Sequence, residues 1–375
     1  MARRVANTKH FKVSKLLAER LRLMSPGEML PTIEELKRKY DCSQATIMQA
    51  LDRLRMQRLI ERPSGKKRIV VAQNGVAPKF RLNLIRPLWS SPDYDGMTNR
   101  VYELGHKEHF GFGLYIYSDI EELNIDDALQ NADAGLMFGN LDMSPAQITA
   151  LNGSRKPIVF LRDKPRGVRA GSVWVDDLAV GLLATGHLLE LGHRRIAVML
   201  SEPPNPSSST RLEGWRQAMA KAKTKDIDSL IVDCSVESGV DAMSGSYARL
   251  CQWLDERPLN FSALFCVGWT GALAALRAFR ERGIRVPEQM SVITFASEAP
   301  ICDFTAPPLT AVQVDLDHYT REVIRLIEEN LAGGEPEITT KDIALKPHLV
   351  IKQSTAAPAR LTFPEPVSAK LVFER

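Results

Sequence analysis

At 375 residues with 44% hydrophobic side chains, the chain is long enough for two or more domains with sizeable cores. The net charge of +4 hides an asymmetry: residues 1–72 carry 17 Lys+Arg against 7 Asp+Glu, and the remainder carries 32 against 38. A basic head on an acidic body points to a polyanionic partner for the head alone. The five cysteines, at positions 42, 234, 251, 266 and 302, form no C-x-x-C pair, which argues against a disulfide framework and for a reducing compartment.

The amino-terminal MARRVANTKHF is basic but is followed by no apolar signal-peptide core, and no apolar run approaches the roughly 18 residues of a membrane span. A cytoplasmic chain with no membrane partner is expected. Val13, Leu16, Leu17 and Leu21 share one face of a helix predicted over 12–22, and Ser25-Pro26-Gly27 breaks it. Thr32 is placed to cap a short helix through Leu36 to Tyr40. After Asp41-Cys42, Ser43 starts a second helix whose Ile47, Leu51 and Leu54 form a buried stripe. Its opposite face shows Gln44, Thr46, Gln49 and Arg53. Leu59-Ile60, the turn around Pro63-Ser64-Gly65 and the basic run Lys66-Lys67-Arg68 into Ile69-Val70-Val71 read as a hairpin. A hydroxyl-capped helix faced with amides and arginines suits a major groove, and a glycine-tipped basic hairpin suits phosphates.

This segment resembles the winged helix-turn-helix of GntR-type bacterial regulators. The resemblance rests on Leu30-Pro31-Thr32 and on Ser43-Gln44-Ala45-Thr46-Ile47-Met48-Gln49-Ala50-Leu51. It implies DNA contacts from Thr32, Ser43, Gln44, Ala45, Thr46, Met48, Gln49 and Arg53, with Gly65, Lys66 and Lys67 in the wing. Gln44 and Met48 replace arginines usual in that family, and Lys67 replaces a second wing glycine. Gln44 retains an amide able to pair with adenine, whereas Met48 can meet only a thymine methyl or pack.

Residues 73–79 read as a short polar linker. Beyond it, strand-like and helix-like segments alternate at βαβ spacing. Strands are predicted over 81–85, 112–117, 135–138, 157–161 and 173–175, with helices near 98–109, 121–131 and after Ser144-Pro145. A second run follows: helix 178–191, strand 196–200, a Pro/Ser-rich loop over 201–209, helix 211–222, strand 230–232, helix 244–256, strand 263–267, helix 271–282 and strand 291–295. Two such runs predict an α/β body with parallel sheets in two lobes.

The body is similar to the effector domain of LacI/GalR-type regulators. The matching residues include Val175-Asp176-Asp177, Gly192-His193-Arg194-Arg195, Arg211 with Gly214-Trp215, Pro307-Pro308-Leu309-Thr310 and Lys346 to Thr355. The resemblance implies a two-lobed, periplasmic-binding-protein-like (type I) domain over 80–355, preceded by the winged domain at 1–72. Residues 356–375 would be an extension, with a further strand possible in sequence terms at Leu371-Val372-Phe373. In that family effectors bind between the lobes at the carboxyl ends of the strands.

Arg211 matches a family arginine that hydrogen-bonds sugar hydroxyls. Other pocket positions depart: Gly268-Trp269 stands for an Asn-Asp pair, and Ala296-Ser297-Glu298 lacks an aspartate. Trp269 and Trp89 are candidates for stacking and Ser297 and Glu298 are polar candidates, with Arg162, Asp163 and Asp176 as weaker ones. The losses predict an effector less polyhydroxylated than a free hexose, or recognition by a different set of groups.

No Walker loop, G-x-S-x-G elbow or G-x-G-x-x-G opens a helix, and His106 with His109 has no third ligand nearby. No enzyme, cofactor or metal site is expected. The reading is a homodimeric transcription regulator, a repressor, that binds operator DNA and answers to a small-molecule, carbohydrate-related effector. One alternative is a DNA-binding regulator whose body only dimerises; a solute-binding protein is the remaining one.

Overall fold

The computed structural model describes residues 9–21, 24, 27–57, 59–62, 68–72, 78–88, 92–139, 143–162, 164–237, 240–297, 300–332 and 340–359. Gly65, Lys66, Lys67, Trp89, Asp163, Glu298, most of the 73–79 linker and the 371–373 strand expectation lie outside the described residues. Two compact units are distinguished, 1–84 with 101–115 and 128–135, and 85–100 with 116–127 and 136–375.

In the first unit, α1 (Lys9–Leu21), α2 (Ile33–Tyr40) and α3 (Gln44–Met56) precede β1 (Ile60–Glu61) and β2 (Val70–Val71), which pair antiparallel. Thr32 and Glu35 form a reciprocal capping box: the Glu35 amide donates to the Thr32 hydroxyl at 3.3 Å, and the Thr32 amide donates to the Glu35 carboxylate at 2.7 Å. Helix α2 stops at Asp41, whose φ of 44° is left-handed, a conformation aspartate tolerates better than most residues. Ser43 then caps α3 by accepting from the Thr46 amide at 3.3 Å. Leu17, Leu21, Leu36, Ile47, Leu51, Leu54 and Ile60 are fully buried together, so the stripes read from spacing form the head's core, except for Leu16, which is 49% exposed.

The body follows as β3 (Arg81–Pro87), α4 (Pro92–Glu108), β4 (Gly111–Tyr117), α5 (Ile125–Ala128), β5 (Ala134–Phe138), α6 (Pro145–Gly153), β6 (Ile158–Leu161) and β7 (Gly171–Val175). Next come α7 (Asp177–Glu190), β8 (Ile196–Leu200), α8 (Pro206–Lys221), β9 (Ile231–Asp233), α9 (Ala242–Glu256), β10 (Ala263–Cys266), α10 (Trp269–Glu281) and β11 (Ser291–Ala296). The last elements are β12 (Thr310–Gln313), α11 (Leu316–Ala332), β13 (Asp342–Leu345) and β14 (His348–Val350). Two six-stranded sheets run in the orders β13-β7-β6-β5-β3-β4 and β14-β12-β11-β10-β8-β9. β10 pairs parallel with both β8 and β11, and every residue of β10 and β11 is buried, as expected for strands covered on both faces. β14 is antiparallel to β12, closing that sheet with an edge strand of opposite sense.

Several elements differ from the sequence expectations. The single helix expected over 121–131 is a 3₁₀ turn at Ile120–Glu122 followed by the one-turn α5. Asp119 accepts from the Glu121 amide at 3.0 Å and Asn124 from the Asp127 amide at 3.1 Å, so two capping side chains restart the chain within one short stretch. Helix α8 begins at Pro206, inside the expected loop, because Asn205 accepts from the Ser208 amide at 2.9 Å and proline fits the first turn. Helix α11 has no counterpart among the expected elements; it buries Leu316, Tyr319, Thr320, Val323, Ile324, Leu326 and Ile327.

All five cysteines are unbonded. Burial pushes the thiols of Cys234 and Cys302 up, to about 12 and about 11. Among the described residues no helix is long and apolar enough to cross a membrane.

Candidate functional site

Two surfaces carry chemistry, one in each unit. In the head, Gln44, Ala45, Met48 and Gln49 are exposed on α3, opposite the buried Ile47, Leu51 and Leu54. Thr32, Ser43 and Thr46 are spent locally: Thr32 caps α2, and Ser43 and Thr46 bond each other at 2.9 Å. Arg53 is drawn aside, its guanidinium lying 4.5 Å from the Phe11 ring centroid on α1. The outward face of α3 is therefore amide and thioether, with Arg55 exposed near its end and paired to Asp52 at 3.2 Å.

In the second unit a cavity is lined by Met97, Phe138, Arg162, Trp174, Val175 and Asp177 on one part of its wall. Ser207, Arg211, Phe295, Ser297, Leu316 and Tyr319 complete it. It holds ≈ 490 Å³ of empty space, counting its solvent-open mouth. Phe138, Trp174 with Val175, and Phe295 close β5, β7 and β11, and Arg162 and Ser297 follow β6 and β11 directly. The cavity thus sits at strand carboxyl ends, where open α/β sheets leave their crevices.

Its polar centre is an ion pair. Arg211 Nε donates to Asp177 Oδ1 at 2.7 Å, and Nη1 donates to the Val267 carbonyl at 2.7 Å. The guanidinium also lies 3.8 Å from the Phe295 ring centroid. Arg211 is 3% exposed and Asp177 8%, so the pair is held away from solvent. Two glycines put it there. A Cβ on Gly181 of α7 would overlap the carbonyl oxygen of Arg211, and a Cβ on Gly214 of α8 would overlap that of Leu178. Only glycine lets the two helices approach this closely, which brings Asp177 at the start of α7 against Arg211 in α8.

Around this pair the wall is largely apolar and aromatic, with Ser207, Ser297 and Arg162 adding polar groups. Tyr319 Oη is fully used, donating to the Val173 carbonyl at 2.8 Å and accepting from the Arg162 amide at 3.0 Å. Arg162 holds a left-handed backbone, φ 70°, uncommon for a residue with a long side chain. Arg86, buried and paired to Asp95 at 2.6 Å, stacks toward Tyr94, whose ring lies 4.1 Å from that of Phe138.

Of the anticipated effector residues, Arg162, Arg211 and Ser297 line this cavity. Trp269 does not: it is the first residue of α10 and packs against the core of the β8–β12 sheet. Beside it, Gly268 leaves room for the Glu202 carboxylate, which a Cβ there would overlap. Asp176, one of the weaker candidates, caps α7 by accepting from the Ala179 amide at 2.9 Å, and its neighbour Asp177 faces Arg211. Sequence reasoning misses Trp174, Phe138, Phe295, Met97, Tyr319, Leu316 and Ser207 because each reads locally as core or cap, and no spacing rule joins them. Among the described residues no cluster of three or more potential metal ligands occurs.

Comparison with known proteins finds matches in both parts of the chain. Residues 12–70 match the bacterial regulatory proteins of the gntR family, and residues 185–355 match the periplasmic binding protein-like domain. The chain joins a gntR-family DNA-binding head to a periplasmic binding protein-like body. That is the build of an HTH-type transcription regulator. It is 28% identical over 304 residues to the HTH-type transcriptional regulator CelR of Thermobifida fusca, covering 79% of this chain and 83% of the relative. It is 29% identical over 284 residues to the HTH-type transcriptional regulator DegA of Bacillus subtilis, covering 73% and 80%. In structure it is similar to a LacI family transcriptional regulator from Enterococcus faecium with bound ribose, at TM-score 0.63 and 19% identity over 74% of this chain and 100% of that one. The Escherichia coli transcriptional repressor ascG is also similar, at TM-score 0.61 and 24% identity over 74% and 99%. These matched relatives are regulators, not enzymes.

Proposed function

We propose that this regulator binds operator DNA as a homodimer through α3 and the hairpin that follows, and that a small molecule in the Arg211–Asp177 cavity changes its operator affinity. The observation that carries the DNA-binding half is the exposed Gln44–Ala45–Met48–Gln49 face on a Ser43-capped helix in a head of net +10. A helix with this face fits a major groove, with Gln44 able to donate to and accept from adenine and Met48 able to meet a thymine methyl. The regulatory half rests on a cavity at strand carboxyl ends with a buried arginine, and one structural neighbour holds ribose. Ligand control requires unequal affinity of the effector for the DNA-bound and free states.

Footprinting on the upstream region of the regulator's own coding sequence tests this. Two protected half-sites separated by about 34 Å of duplex, or a multiple of it, are expected for a two-fold dimer. Equal binding to that region and to random duplex at near-physiological salt would refute the reading.

A further inference from the structure

We propose that a backbone phosphate of the DNA duplex sits in a polar groove of the head, held by Arg38 and Lys9; this rests on the DNA-binding reading above. The groove lies between the start of α1, the second half of α2 and the cap of α3, and is lined by Lys9, Glu34, Lys37, Arg38, Asp41 and Ser43. Glu34, Lys37, Arg38 and Asp41 fall at helical spacings of three and four, so α2 and its C-cap turn one charged face toward it. Ser43 ends the groove and caps α3, so a group seated there flanks whatever α3 enters.

The lining charges are partly spent on each other. Glu34 is committed to Lys37, whose ammonium lies 2.9 Å and 3.2 Å from its two oxygens. Lys9 donates to the Asp41 carbonyl oxygen, a neutral acceptor, and so keeps its charge. Arg38 is exposed and makes no hydrogen bond or ion pair among the described residues. Lys9 and Arg38 thus stand against the single Asp41 carboxylate, leaving the groove net positive. A phosphate meets an ammonium and a guanidinium through charge-assisted hydrogen bonds. The reading helix does not supply this grip: Arg53 is drawn to Phe11 and Arg55 to Asp52. The groove therefore positions the head without reading sequence, while the amide face of α3 reads.

Fluorescence anisotropy of the full chain on a random-sequence duplex, across a potassium chloride series, tests the proposal without a known operator. Each phosphate contact adds about 0.9 to the slope of log affinity against log salt. Arg38→Ala should lower the slope by about 0.9 per head and weaken binding about eightfold per head at roughly 0.1 M salt. Lys39→Ala removes the same charge from the next residue of α2, which is exposed and does not line the groove, and should leave the slope unchanged. Asp41→Asn keeps a residue that tolerates the left-handed φ of 44°, removes the opposing carboxylate and should tighten binding several-fold. On the upstream region the same relative changes should appear, with base discrimination unaltered. Equal slopes for wild type and Arg38→Ala, an equal loss in Lys39→Ala, or no gain from Asp41→Asn would each overturn the groove. Unchanged slopes beside an intact footprint would remove the groove alone, whereas a wild type without a footprint would remove the regulator reading whatever the slopes do.

Discussion

Arg211 and Asp177 stand 2.7 Å apart, Nε to Oδ1, both removed from solvent, on two helices that touch through glycine. A buried pair of this kind is weak evidence of net stabilisation, because desolvation offsets much of the attraction. Its asymmetry is informative: removing one partner strands the other charge. Arg211→Met should destabilise the body by about 3–5 kcal/mol, and adding Asp177→Leu should restore most of that loss. Urea unfolding followed by tryptophan fluorescence, with Trp215 fully buried nearby, reads the difference. A double variant no more stable than Arg211→Met would contradict the assignment.

The glycine contact makes a second prediction. Gly181→Ala must push its methyl into the Arg211 carbonyl and toward the Trp215 amide nitrogen 2.8 Å away. Overpacking of backbone against backbone should cost about 1–3 kcal/mol or more and displace Arg211. Gly186 lies on the same helix, and a methyl there would meet nothing within 4 Å, so Gly186→Ala should stabilise by up to about 1 kcal/mol through helix propensity. Thermal unfolding of the two variants should move in opposite directions.

A third concerns acid. His193 is buried, with Nδ1 2.7 Å from Ser262 Oγ and Nε2 2.9 Å from the Ala356 carbonyl and 3.1 Å from Ser291 Oγ. The carbonyl can only accept, so Nε2 carries the proton and Nδ1 accepts from Ser262. Burial holds the ring's pKa below the ordinary histidine value, opposed in part by the Ala356 hydrogen bond, and His187 nearby lowers it further. The folded state therefore binds fewer protons than the unfolded chain below about pH 6.5. Stability linked to His193 should be fully present above that value and be lost as pH falls through it and through the lower folded-state pKa. Urea midpoints between about pH 7.5 and 5 should fall for the wild type and fall less for His193→Gln. An unchanged acid slope in the variant would exclude His193 as the source.

The head separates reading from support. Gln44→Ala should relax discrimination at one base pair by about 1–3 kcal/mol while leaving the salt dependence of binding unchanged. Arg53→Ala should instead lower the head's thermal stability, because its guanidinium covers Phe11. Quantitative gel shifts across a potassium chloride series, with melting curves on the same proteins, distinguish the two effects. A uniform loss of affinity across all operator variants, with discrimination at every base pair unchanged, would remove Gln44 from the base-reading face.

The head is legible in the sequence because its signals are local. Hydroxyl caps at Thr32 and Ser43 and a stripe at spacings of four and three act over one or two turns, so neighbours in sequence settle them. The α/β alternation is legible for the same reason. Boundaries fail where composition misleads: Pro206 and its serines read as loop, yet Asn205 turns them into the first turns of α8. The cavity cannot be read this way. Asp177, Arg211, Phe295 and Tyr319 come from separate elements, and Trp269, conspicuous in the sequence, packs elsewhere.

By itself, then, the order of residues determined the winged head and the parallel α/β body. Only tertiary packing decided that Asp177 and not Asp176 meets Arg211, and that Trp174 and Tyr319 and not Trp269 wall the cavity. The reason is range: capping and periodicity are enforced by bonds a few residues long, whereas the cavity depends on how closely two glycine-faced helices pack.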